Sequence, residues 1–232
     1  MITTYPRAIR GTRTLPYLAG ASVLVGAIAS FMALVWAPAD AVQGDVQRIM
    51  YVHVPAAWLA YLAFVVVFLA SFAWLWGHSP LADAVAVASA EIGVMFTGLA
   101  IVLGSIWAKP TWGVWWTWEP RLVTTAVMFS MYAGYLLLRS LSSDFERRAT
   151  RAAVVGAIAV LNVPIVHLSV TWMNALHQLP SVLRPGPPAL DGRMYATLLV
   201  AVAAFTLLYA SLLVARVGIE RRRRSDAGRS EG

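Results

Sequence analysis

Six apolar runs, each about long enough to cross a bilayer, divide the chain at roughly 16–37, 54–76, 81–107, 122–140, 152–172 and 194–217. No segment shows the ten-residue alternation of a membrane β-barrel strand. In lipid, helices then satisfy every backbone group. The pattern therefore predicts an all-α integral membrane protein with six transmembrane helices. The first run is too long for a signal peptide and lacks a small-residue cleavage site, so it reads as a retained span. No internal repeat is visible. The expected organisation is a six-helix transmembrane domain over 1–220 and a basic, disordered-looking cytoplasmic tail over 221–232.

Composition supports the membrane reading. Of the 232 residues 59% are hydrophobic and 12% charged, with a mean hydropathy of +0.69. Soluble domains carry about 25% charge. Cysteine is absent, which excludes disulfides, iron–sulfur clusters, thiolate metal sites and covalent haem attachment through CxxCH. One lysine, Lys109, and no GxxxxGK[ST] exclude a Walker loop.

The net charge of +7 is unevenly placed. Thirteen of the eighteen Lys and Arg fall at the two termini and in the loop between spans 4 and 5. Arg7, Arg10, Arg13, Arg139, Arg147, Arg148, Arg151, Arg216, Arg221 to Arg224 and Arg229 form this set. The alternate loops hold five: Arg48, Lys109, Arg121, Arg184 and Arg193. The positive-inside rule puts both termini in the cytoplasm and the 1–2, 3–4 and 5–6 loops outside. Arg221 to Arg224 then read as an anchor on anionic lipid, not as a nucleic-acid contact.

Outer-loop chemistry is concentrated. Five of the ten tryptophans (Trp107, Trp112, Trp115, Trp116 and Trp118) lie in WAKPTWGVWWTWEPRL. Pro110 and Pro120 predict that this stretch does not simply continue span 3. It could be an aromatic belt at the headgroups or a shelf for a large flat ligand. A short interfacial helix is the expected form of the 3–4 loop. His53 opens span 2 and His177 follows span 5, both on the outer side, where neutral imidazole beside indole suits a porphyrin iron. His167 reads as an intramembrane hydrogen-bonding group and His78 as part of a cytoplasmic turn.

Buried charge also needs an account. Glu91 lies near the middle of span 3, where a charge costs about 2.5–3.5 kcal/mol on insertion scales. It reads as an interhelical hydrogen bond first and as a proton-transport group second. Glu119 and Arg121 close the Trp-rich stretch, and mutual pairing is one role for them. Arg121, Arg48, Lys109 and Arg184 are equal candidates to hold a ligand carboxylate, since a guanidinium matches two oxygens.

The stretch WGVWWTWEPRL resembles the tryptophan-rich signature of the haem-handling proteins of cytochrome c biogenesis. YVHVPAAW before it and LNVPIVHLSVTWMNALHQ after it narrow the resemblance to the cytochrome c maturation protein C family, over about Met50 to Pro180. The resemblance implies non-covalent, transient binding of haem b at the outer face. His53 and His177 would ligate the iron. Trp112, Trp115, Trp116, Trp118, Glu119 and Arg121 would belong to the binding surface. It further implies delivery to a membrane-anchored haem chaperone, with an ABC-type ATPase, its membrane subunit and a small membrane subunit as partners. A bacterial inner-membrane location follows from it too. The signature usually ends in Trp-x-Trp-Asp; here Glu119 replaces the Asp.

Three other readings compete. One is a lyase that attaches haem to apocytochrome, which the short chain disfavours. Another is an ion or proton transporter using Glu91. The last is a b-type electron carrier, which would need two ligands within the bundle where only His167 lies well inside a span. The leading expectation is a haem carrier and not an enzyme.

Overall fold

The computed structural model describes residues 14–173, 176–177, 186 and 189–230. Its elements are α1 (Thr14–Phe31), α2 (Met50–Gly77), α3 (Pro80–Trp112), α4 (Pro120–Ser140), α5 (Phe145–Ala159), α6 (Asn162–Trp172) and α7 (Gly192–Ser230). A π turn (Met32–Trp36) extends α1, and a 3₁₀ turn (Asp45–Ile49) leads into α2. Among the described residues there is no strand, only an isolated bridge between Asp40 and Gly44. Six helical stretches are long and apolar enough to cross a membrane, as the hydropathy pattern predicts.

Local chemistry sets the helix ends. Ser79 accepts the Ala82 amide at 3.4 Å, and Pro80 opens α3 where its missing N–H costs nothing. Asp144 caps α5 through the Arg147 amide at 2.7 Å. His78 closes α2 in the left-handed region, and its Nδ1 lies 3.2 Å from Glu146 Oε1.

The end of α3, the 3–4 loop and the fifth span depart from the sequence reading. Helix α3 does not break at Pro110; it runs on to Trp112 and stops at Gly113, whose φ of +80° favours glycine. A proline this close to a helix end gives up only one ladder bond, so the break is deferred. Trp107 and Trp112 therefore belong to the helix itself. The residues 113–119 that follow are bends and extended chain, not the expected interfacial helix. The fifth span is two helices. Pro164 has no N–H for the Val160 carbonyl, which instead accepts from Val163 at 2.9 Å. Asn162 Nδ2 ties this break to the Thr124 carbonyl on α4 at 2.9 Å.

Small residues let the helices approach. Gly93 on α3 lies under the Phe64 ring, which stacks on Tyr132 of α4 with centroids 3.5 Å apart. A Cβ at Gly93 would sit 2.4 Å from that ring. Ser89 donates to the Ala63 carbonyl at 2.7 Å and shares a 2.7 Å hydrogen bond with Tyr209 of α7.

The end of the bundle that carries most of the arginines is tied by an alternating ladder of charges. Arg139 of α4 makes a two-point bond to Asp83 of α3, at 2.6 and 2.8 Å. Arg224 of α7 reaches the same carboxylate at 2.7 Å and Glu220 at 3.0 Å. Arg216 joins Glu220 to Glu91, the latter at 2.5 and 2.8 Å. The chain over 221–230 is thus a helical continuation of α7, not the disordered tail expected, because Arg224 is pinned by two carboxylates and lies over Phe145. Arg7, Arg10, Arg13 and Arg184 lie outside the described residues.

Candidate functional site

At the opposite end of the bundle α2, α3 and α4 enclose a cavity of about 280 Å³. This is near the lower end of the range for small-ligand pockets. Its inner wall is made of small residues: Ala57, Ala60, Ala100, Gly104 and Ala108. Thr97, Thr125 and Tyr61 add polar groups deeper in. His53, from the first turn of α2, and His177, just beyond α6, both line it. The chain bends after Trp172, so His177 reaches the cavity from a loop and not from a continued helix.

Each imidazole meets one indole from the last turns of α3. His53 meets Trp107 edge to face, with centroids 5.7 Å apart at 76°. His177 meets Trp112 at 6.3 Å and 70°. His53 Nδ1 is buried with no hydrogen-bond partner among the described residues.

The Trp-rich stretch splits into two populations. Trp112 and Trp116 are half-buried and wall the cavity. Trp115 and Trp118 point away from it and are 57% and 84% exposed. The stretch thus divides between the cavity wall and the exposed surface. Trp116 and Trp118 meet edge to face at 5.9 Å, which joins the two sets.

Glu119 and Arg121 do not pair with each other. Glu119 is buried at the N-cap position of α4, yet its side chain does not cap that helix. Its Oε2 accepts the His177 backbone N–H at 3.2 Å instead. Oε1 is buried without a partner among the described residues. Arg121 lines the cavity, donates to the His167 carbonyl at 2.9 Å, and keeps its Nε buried and unpartnered.

The candidates for holding a carboxylate are now unequal. Arg48 is spent on Asp45 at 2.7 Å and on the carbonyls of Ala33 and Ala37. Lys109 Nζ donates to the Gly113 carbonyl at 2.9 Å and does not line the cavity. Arg121 is the cation that faces the cavity among the described residues. Glu91 has no free carboxylate to offer a transport path, being held at two points by Arg216.

Sequence reasoning missed several wall residues. Gln43 comes from the α1–α2 loop, and its signal was slight: one amide in a polar turn. Trp107 also lines the cavity, and in sequence only its place in a dense run of tryptophans marks it. Gly104 and the alanines carry no chemistry that a motif search could catch. They contribute absence of volume, which appears only once the helices are packed.

The chain matches the family model described as heme exporter protein C over residues 6–230. It is 42% identical to heme exporter protein C of Bradyrhizobium diazoefficiens, over 91% of this chain and 80% of that one. It is 36% identical to heme exporter protein C of Escherichia coli K12, over 88% of this chain and 82% of the relative. A putative cytochrome c biosynthesis ccmC-like mitochondrial protein of Marchantia polymorpha is 36% identical over 72% of this chain and 73% of its own length.

Proposed function

Because this chain belongs to the heme exporter protein C family, we propose that it handles haem for cytochrome c biogenesis in a bacterial inner membrane, holding haem b non-covalently in the cavity between His53 and His177. The observation that carries this reading is the convergence of two imidazoles from distant segments on one cavity, each flanked by an indole of α3. The residues fit the cargo chemically. Two imidazoles, His53 and His177, line the cavity, and indole faces suit a flat porphyrin. The unpartnered Arg121 Nε offers a donor for a propionate.

In this reading the resident side chains do three things. His53 and His177 hold the iron from two segments, so release requires only that one of them move. Glu119 fixes the His177 loop through its backbone amide. Trp115 and Trp118, exposed beside the cavity, present an apolar outer rim on which a membrane-anchored haem chaperone could dock to receive the cargo. An ABC-type ATPase, its membrane subunit and a small membrane subunit complete the assembly, with the arginine-rich ends of the bundle on the cytoplasmic side. Residues 1–220 form the haem-handling unit, and 221–232 form its cytoplasmic extension. The protein acts as a carrier and not as an enzyme.

The test is an absorption spectrum of the detergent-purified chain, wild type beside His53→Ala/His177→Ala. A Soret band in the wild type that the double variant loses is the expected result. A band of equal strength in both would remove the two histidines as ligands. No band in the wild type, even with added haemin, would overturn the haem reading.

A further inference from the structure

The α1–α2 loop is built to present one side chain to the cavity. Asp40 and Gly44 exchange backbone hydrogen bonds at 3.2 and 2.9 Å and close a tight turn. Asp40 Oδ1 accepts the amides of Val42 and Gln43 at 2.9 and 2.8 Å, an Asx arrangement that rigidifies the turn. Gly44, at φ +58° and ψ −139°, adopts a backbone conformation open essentially to glycine. Gln43 therefore leaves the turn in a defined direction. Its Oε1 accepts the Trp107 indole N–H at 2.8 Å.

Trp107 in turn faces His53 edge to face, 5.7 Å between centroids. On the same helix, one turn earlier, Gly104 lies under the imidazole; a Cβ there would come within 3.0 Å of His53 Cε1. The imidazole is thus boxed by two positions of α3, one held absent and one held in place. Metal-binding histidines are normally oriented by a hydrogen bond from the other ring nitrogen. At His53 the ring is met from α3, where it has a backbone hydrogen bond to Ala100 and is confined by Gly104 and Trp107, so α3 carries the task.

We infer that Gln43 is a positioning residue for the haem iron: it fixes the Trp107 indole, which fixes the plane of the His53 imidazole. This rests on the proposed ligation by His53. It explains why the turn over Asp40 to Gly44 is so tightly constrained and why its one amide side chain is directed at Trp107.

The experiment uses the full chain in detergent, titrated with haemin. Affinity is read from the Soret band, and the ligand geometry from the g-values of the low-spin ferric signal, which respond to the planes of the axial rings. Gln43→Leu removes the acceptor, and Trp107→Phe removes the N–H while keeping a ring. Each is expected to weaken haemin binding about tenfold, the lower end of the usual effect of outer-shell partners. Both should move the g-values, and the double variant should be no worse than the worse single one. Gln43→Glu retains an acceptor oxygen for the indole, so its g-values should stay with the wild type even if its added charge lowers affinity. Wild-type affinity and g-values in Gln43→Leu would overturn the inference. So would additive effects of the two single variants, or a Gln43→Glu signal that shifts like Gln43→Leu. A wild type with no low-spin ferric signal would instead overturn the underlying haem reading.

Discussion

Replacing Asp83 by Leu tests how the charged end of the bundle is held. The carboxylate is 2% exposed and accepts three charge-assisted hydrogen bonds, two from Arg139 and one from Arg224. The two arginines are not left in the same position by its loss. Arg224 keeps Glu220 and the Pro80 carbonyl, at 3.0 Å each. Arg139, 8% exposed, loses both bonds to its one carboxylate partner among the described residues and keeps only the neutral Tyr135 beside it, whose ring centroid is 5.8 Å away. The cost is therefore mainly that of one stranded guanidinium, about 3–5 kcal/mol. For a chain of this size about 1 kcal/mol moves the melting temperature by about 2–4 °C, which predicts a fall of about 6–20 °C. The assay is thermal unfolding in detergent followed by loss of monodisperse protein. The same reasoning makes a sharper demand on Asp83→Leu/Arg139→Leu. An apolar pair in place of a buried ion pair is often neutral, so the double variant should recover more than half of the loss. A single variant within about 2 °C of wild type, or a double variant as unstable as the single, would refute the assignment of the cost to a stranded arginine.

Two further outcomes follow from close contacts. Gly93→Ala drives a methyl into Phe64 and disturbs its stack on Tyr132; overpacking of this kind costs about 1–3 kcal/mol, read in the same thermal assay. A melting temperature equal to wild type would mean that the stack moves freely. Glu119→Ala releases the His177 amide and should weaken haemin binding about tenfold with little change in thermal stability. Unchanged binding would leave Glu119 without a part in holding the loop.

Much of the architecture was legible because lipid imposes a simple rule on sequence: long apolar runs, with arginine sorted between alternate loops. The first four span limits lie close to those of the structure, while charged turns extend the fifth back to Phe145 and the last on to Ser230. Two prolines act differently from the sequence reading. Pro110 suggested a break, but it sits so near the end of α3 that the helix absorbs it. Pro164 lies inside an unbroken apolar run, and hydropathy alone does not report the changed hydrogen bond at Val160. At the site, His53, His177, Trp112 and Trp116 could be named from residue type, and the structure brings them to one cavity. What sequence could not rank were the four cations. Arg48 and Lys109 are removed from contention by carbonyls and a carboxylate that only folding brings near them. Gln43 was invisible for a related reason: its meaning depends on a partner 64 residues away.

The inner wall of the cavity is composed of alanines and a glycine, and this has a consequence for how such a site is inherited. A change from Ala100 to Leu would leave the hydropathy of α3, its insertion and its helix propensity essentially as they were. It would nonetheless fill part of a chamber of only about 280 Å³. Lineages could therefore lose or reshape their cargo by substitutions that look silent by every measure of membrane character. Divergence among such chains is better followed through side-chain volume at these few positions than through the aromatic residues that first draw the eye.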